Sequence, residues 1–165
     1  PILNTSQNWY AEMLLKQLGR QFGWGGSRQE RLAVERRFLV DSMTVVSTRL
    51  ALRDGSGLSS SNLVSPKAFA TLLTWMRAHP RFESFAAGLP QSGQRGSLKS
   101  RFVGTPLEGK VRAKTGSISR VNTLAGYIEL PGRTLTFAVE ANNHTLGSRV
   151  MIPQIDSLVV QMGKK

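Results

Sequence analysis

The sequence predicts an α+β fold in which helices pack on an antiparallel sheet. Two observations carry that expectation. Apolar residues recur at offsets of three, four and seven in the first part of the chain, and beyond residue 110 the period shortens to alternation on both sides of the turn Pro131-Gly132-Arg133. With 165 residues, the chain fits one domain and can bury about two thirds of its unfolded surface.

Ala11, Leu14, Leu15 and Leu18 form an apolar stripe on a helix over residues 9 to 18, which Gly19 is expected to close. A glycine-rich connector follows, Phe22-Gly23-Trp24-Gly25-Gly26. Ser27-Arg28-Gln29-Glu30 then has the spacing of a capping box, opening a helix that runs to Val40 or so. Arg53 to Leu58 is turn chemistry, because Gly and Asp accept the positive backbone angles of tight turns. Its Gly55-Ser56-Gly57 is not a nucleophile elbow, which needs Gly two places either side of the Ser, where this chain has Asp54 and Leu58. Ser65-Pro66 supplies an N-cap and a first-turn proline, and Phe69, Leu72, Leu73 and Met76 are expected as the core stripe of a helix reaching His79-Pro80. Lys110 to Ile118 reads as a strand and Thr123 to Leu130 as a second. Leu135, Phe137 and Val139 alternate along a third, which forms a hairpin with the second. A last helical stretch carries Val150, Ile155, Leu158, Val159 and Met162; Pro153 is expected to break it early, and it packs on the sheet.

Composition narrows the function classes. Hydrophobic content of 40 % with 19 % charged residues is ordinary for a globular domain. No apolar run approaches the roughly 20 residues that cross a bilayer. Pro1 is not a translational start, so the true N-terminus, with any signal peptide, is expected upstream or removed. Zero Cys excludes disulfides and thiolate metal sites, and His79 and His144 stand too far apart for metal-ligand spacing. A net charge of +12 first suggests nucleic acid. The cations are dispersed, however: Arg20, Arg28, Arg31, Arg36 and Arg37 lie along one helical stretch, and no cation run or RNA-recognition motif occurs. A basic surface meeting a polyanionic environment accounts for the charge, and no nucleic-acid partner is expected.

Two short motifs carry chemistry. Ser6-Gln7-Asn8 stands at the entrance of the first helix, and Lys114-Thr115-Gly116 lies on the first long strand. Read alone, Ser6 or Asn8 is an N-cap, Lys114 a solvated strand lysine, Thr115 a strand former and Gly116 a bulge. Read together, they are two thirds of a serine acyl-transfer site. Such a site needs an activated nucleophile, a proton relay, and donors for the carbonyl oxygen as it becomes an anion. The remaining third, a Ser three places before a Lys, is absent, because Lys16, Lys67, Lys99, Lys110, Lys114, Lys164 and Lys165 each follow another residue at that offset.

Longer blocks extend the pattern. Asn4-Thr5-Ser6-Gln7-Asn8-Trp9-Tyr10-Ala11-Glu12, Asp54-Gly55-Ser56-Gly57-Leu58-Ser59, Asn62-Leu63-Val64-Ser65-Pro66, Gly96-Ser97-Leu98, Gly109 through Ser117, and Leu124-Ala125-Gly126-Tyr127 occur in that order along nearly the whole chain. In sequence and order they resemble the D-alanyl-D-alanine carboxypeptidase/endopeptidase family of low-molecular-mass penicillin-binding proteins (class C type, peptidase family S13). The resemblance implies a penicillin-binding-protein/β-lactamase-like transpeptidase fold. Residues 1–165 would be the C-terminal part of a single such domain: a helical region with the Ser6 helix over 1–80, then the Lys114 strand, hairpin and last helix over 105–165.

By the same resemblance, Ser6 relays a proton between the nucleophile's lysine and the leaving nitrogen. Asn8 presents its amide to a substrate carbonyl. Lys114 raises the acidity of nearby hydroxyls and attracts a carboxylate, and Thr115 offers its hydroxyl to the substrate's terminal carboxylate. Gly116 lets the ligand approach, and Ser117 gives its backbone N–H to an oxyanion hole. The substrate lies along this edge as an extra strand. Many relatives carry Arg directly after the Gly-Leu-Ser block, where this chain has Ser60, and a hydroxyl cannot form a bidentate pair with a carboxylate. Recognition of the diamino acid then falls to other groups, Ser119 among them. No cofactor or metal is implied. The implied partners are peptidoglycan stem peptides, β-lactams and the upstream part of the same enzyme, in an extracytoplasmic setting. A fragment of a longer enzyme, half of a two-chain assembly, and a non-catalytic relative each account for the missing nucleophile; a basic binding module for cell-wall polymer or nucleic acid is the alternative function.

Overall fold

The computed structural model describes residues 2–164, so Pro1 and Lys165 of the expected 1–165 domain lie outside the described residues. Helix α1 (Asn8–Phe22) packs on helix α2 (Arg28–Arg37). The capping box forms as its spacing predicts: Ser27 Oγ accepts from the Glu30 amide at 3.3 Å, and Glu30 Oε2 accepts from the Ser27 amide at 3.1 Å. α2 then continues into a π-helical turn, Phe38–Ser42. Gly19, expected as the end of α1, is instead buried inside it. A Cβ there would stand 2.7 Å from the Cβ of Arg31, so the missing side chain is what lets α2 pack this close, and the helix ends at Gly23. Of the expected stripe on α1, Leu15 is buried whereas Leu14 is 51 % exposed.

A two-stranded ribbon, β1 (Leu50–Ala51) with β2 (Leu63–Val64), frames the Asp54 loop. Asp54 Oδ1 accepts from the Gly57 amide and from Asn62 Nδ2, both at 2.8 Å, and Oδ2 accepts from the Ser59 amide at 2.6 Å. Glu12 of α1 reaches the same loop and accepts from the amides of Gly55 and Ser56, both at 2.9 Å. Helix α3 (Pro66–Arg77) starts on the Ser65 cap. It buries Ala68 and Leu73 rather than Phe69, which faces outward. A short helix α4 (Phe82–Gly88), unmarked by any apolar period in the sequence, follows.

Strands β3 (Val111–Ile118), β4 (Val121–Leu130) and β5 (Arg133–Asn142) form an antiparallel sheet in that order. Both hairpins turn within two residues, at Ser119-Arg120 and Pro131-Gly132. One face carries Val111, Ala113, Leu124, Ile128 and Phe137 against Ile155 and Val159 of helix α5 (Ser148–Met162). On the opposite face, Tyr127 packs with Leu73 of α3 and Leu89, and its hydroxyl donates to the Leu73 carbonyl at 2.8 Å. This is the helix-on-antiparallel-sheet α+β arrangement that the sequence predicts. Pro153 departs from expectation, because it lies inside an unbroken α5. It stands on the exposed side of that helix, where the carbonyl it leaves unpaired is open to water.

Glu35 of α2 has a buried carboxylate oxygen without a hydrogen-bond partner. Burial first, then the neighbouring charges of Glu12 and Asp54, push its carboxyl from 4.5 up to about 7. Because the folded value lies above the unfolded one, its contribution to stability is full below pH 4.5 and is lost as pH rises through 7. Glu35→Gln should therefore flatten the pH dependence of unfolding between these values, by up to about 1.4 kcal/mol per pH unit. Denaturant melts of both proteins across that range test this; parallel curves would refute it.

Candidate active site

Lys114 stands on β3 with Ala125 of β4 and Ala138 of β5 as its cross-strand neighbours. These small side chains leave room for the lysine stem over the sheet. Its ammonium donates to the Ser6 hydroxyl at 2.7 Å and to the Thr115 carbonyl at 2.5 Å. Partial burial lowers the pKa of the amine from 10.5. Ser6 is not the N-cap of α1. That place is held by Gln7, which makes no side-chain capping bond, and Ser6 precedes it with φ +55°. A non-glycine residue in this left-handed region is strained by about 1 kcal/mol or more, and here the strain accompanies a hydroxyl aimed at the lysine rather than at helix amides. Since the ammonium fills an acceptor position of Ser6 Oγ, the serine's own proton points away from Lys114. Asn8 opens the first turn of α1 beside it, exposed to solvent.

The sheet edge explains the other motif residues. The Ala113 amide donates to the Pro90 carbonyl at 3.1 Å, and the Val111 carbonyl accepts from the Ser92 amide at 2.9 Å. Odd-numbered residues of β3 thus point their backbone groups away from β4. The alternation carries on through an unbroken register, so Thr115 and Ser117 present theirs at the edge beyond the cover of Pro90–Ser92. Gly116 sits between them, and a Cβ there would run into the Thr123 hydroxyl of β4. The glycine therefore answers to packing within the sheet.

Ser6, Lys114 and Thr115 come together, with Gly116 and Ser117 on the same strand. Ser119 does not join them: it lies exposed in the β3–β4 turn, and no hydrogen bond among the described residues ties it to the group. Two further residues belong to the site that residue-by-residue reading of the sequence did not single out. Ser97 shares a 2.8 Å hydrogen bond with the Thr115 hydroxyl. Asn122, 1 % exposed, donates to Ser117 Oγ at 2.8 Å and to Ser148 Oγ at 3.2 Å. The sequence signal for Asn122 was a polar residue in the alternation of β4; for Ser97 it was the Gly-Ser-Leu block itself.

The model of the family described as D-Ala-D-Ala carboxypeptidase 3 (S13) matches residues 1–162, and the chain belongs to that family. It is 35 % identical over 150 residues to a D-alanyl-D-alanine carboxypeptidase of Actinomadura sp. (strain R39), covering 88 % of this chain and 28 % of that protein. It is 29 % identical over 170 residues to the penicillin-sensitive carboxypeptidase A of Dictyostelium discoideum, covering 98 % of this chain and 33 % of the relative. The crystal structure of penicillin binding protein 4 (dacB) from Haemophilus influenzae, complexed with a β-lactam, superposes with a TM-score of 0.86 at 26 % identity, over 98 % of this chain and 40 % of that one. The fold is the penicillin-binding-protein type. The chain spans 28 % and 33 % of the two curated relatives.

Gly116→Ala should destabilise the chain by about 1–3 kcal/mol through overpacking. Thr123→Ala in the same chain should restore much of that loss, because the obstructing atom is the Thr123 hydroxyl. Additive losses in a double-mutant cycle would show that the glycine is needed for another reason.

Proposed function

We propose that this chain supplies part of the active site of a serine-type D-Ala-D-Ala carboxypeptidase/endopeptidase acting on peptidoglycan stem peptides outside the cytoplasm. The nucleophilic Ser and its Lys come from a segment outside these residues, and β-lactams acylate that Ser. The observation that carries the reading is the 2.7 Å hydrogen bond between Lys114 and Ser6, which brings two motifs far apart in sequence into one site. Family membership and the named activities of the relatives support it.

In this reading the peptide lies along the open edge of β3, its terminal carboxylate toward the Thr115 hydroxyl and the Lys114 ammonium. The nucleophile's oxygen attacks the carbonyl carbon of the scissile bond. The Ser117 N–H, facing out of the sheet, stabilises the oxygen as it gains charge. As the nucleophile attacks, its proton passes to its own Lys; the C–N bond breaks, and the leaving amine takes a proton from Ser6, whose O–H is directed away from Lys114 and which is reprotonated by the nucleophile's Lys. Water then cleaves the acyl ester and restores the serine. Asn8 holds a substrate carbonyl. Trp9, Tyr10 and Met13, exposed on the outer face of α1 next to the site, are the surface on which the nucleophile-bearing segment packs.

Intact mass measured before and after incubation with a penicillin, under denaturing conditions that separate chains, tests the division of the site. This chain should stay unmodified while the chain carrying Ser-x-x-Lys gains one drug mass. Uptake by this chain alone would overturn the division; no labelling at all, with polymer affinity that falls steeply with salt, would favour a non-catalytic basic module. In the assembled enzyme, Ser6→Ala and Lys114→Ala should each slow acylation by about 10²–10⁴-fold, the usual worth of a proton-transfer group.

A further inference from the structure

We propose that the loop between α1 and α2 is a docking surface for an anionic lipid membrane, with Trp24 and Phe22 seated among the headgroups and the neighbouring arginines on lipid phosphates. This inference stands apart from the acyl-transfer reading. Trp24 is 95 % exposed and Phe22 54 % exposed. Leaving two aromatic side chains in water at the tip of one loop has no structural return within the chain, because the loop is held by other groups. The Gly23 amide donates to the Gly19 carbonyl at 3.0 Å, and Arg37 Nη2 donates to the Phe22 carbonyl at 3.0 Å. The frame is fixed by backbone atoms, and the rings project from it.

Charge complementarity identifies the occupant. Residues 16 to 37 hold Lys16, Arg20, Arg28, Arg31, Arg36 and Arg37 against Glu30 and Glu35. Glu30 is occupied by the Ser27 cap, and Arg31 pairs with Glu12 at 3.5 Å. Arg20, whose stem lies beside Gly26, and Arg37, which holds the Phe22 carbonyl, are the exposed arginines at this loop, and Arg36 is exposed next to Arg37 on α2. Exposed Trp and Phe with arginine at the same loop match a membrane interface, where the rings lie at headgroup level and the guanidinium groups meet phosphate. Nucleic acid is the poorer fit, because single-strand binding uses a basic groove with successive stacking platforms, whereas these rings project from one loop tip. No helix among the described residues is long and apolar enough to cross a membrane. The loop and Ser6 lie at opposite ends of α1, about 20 Å apart at 1.5 Å per residue, so docking leaves the site open.

The test uses the chain as it stands, with vesicles of phosphatidylglycerol mixed into phosphatidylcholine and vesicles of phosphatidylcholine alone. Co-sedimentation should be strong with the first and weak with the second, and Trp24→Ala should weaken binding about tenfold or more. In a Trp9→Phe, Trp75→Phe background, the remaining Trp24 fluorescence should shift to the blue on binding and be quenched by brominated lipid. Arg20→Ala should reduce binding several-fold without moving the emission of the bound state. Wild-type and Trp24→Ala proteins that bind anionic vesicles equally, or Trp24 emission unchanged on binding, would overturn the proposal. So would an absence of vesicle binding together with single-stranded DNA binding that Trp24→Ala abolishes. Trp24 makes no core contact, so thermal melts of the variants should match the parent.

Discussion

The hydrogen bond from the Lys114 ammonium to the Ser6 hydroxyl ties the entrance of α1 to the edge strand of the sheet, and the geometry of the site depends on it. An ammonium withdrawn from water must find acceptors, and a strand offers few on its side-chain face. Lys114 has only the small Ala125 and Ala138 beside it on that face of the sheet, and its head turns to the Thr115 carbonyl at the outer edge of β3 and out to Ser6. The left-handed backbone at Ser6 is the cost of meeting it there. Burial that lowers the lysine's pKa and the strain that presents the serine are two sides of one arrangement.

Acidic residues hold the rest of the framework in place. Glu12 and Asp54 organise the loop beneath α1, Glu30 caps α2, Glu108 accepts from the Gly104 amide, and Glu129 and Asp156 pair with Arg112 and Arg101. The chain has 10 carboxylates against 22 basic residues. With most of the carboxylates tied to backbone amides or to a single arginine, the surplus cations are left on the surface. The strong positive charge is therefore a property of the exterior, and its dispersal along the sequence says little about where it gathers in space.

The fold class, the β4–β5 hairpin, the α2 capping box and the Ser65 cap were legible because each depends on residues close in sequence. Gly19 and Pro153 misled for the opposite reason. Gly19 answers to α2, twelve residues on, and Pro153 is tolerated because its side of α5 faces water. Phe69 and Leu14 have apolar spacing but lie toward the outer sides of their helices, so periodicity marked them as core when they are partly exposed. At the site, residue types and order pointed to Ser6, Lys114 and Thr115. Ser97 meets Thr115 across the fold, while Asn122 bonds its hairpin partner Ser117 and the distant Ser148, and the faint local signal of each says nothing of those partners.

The edge of β3 is open along only part of its length, and that asymmetry bears on what can lie there. Pro90–Ser92 pairs with Val111 and Ala113, so a peptide strand added at Thr115 and Ser117 has a blocked end. The blocked end adjoins the Thr115 hydroxyl and Lys114, the groups suited to a carboxylate. Toward Ile118 the strand runs out into the exposed Ser119-Arg120 turn. In the proposed reading, a ligand therefore meets the edge with its terminus held and the remainder of its chain free to extend. In that reading, the cover on Val111 and Ala113 is what favours a chain end over a continuous chain at this edge.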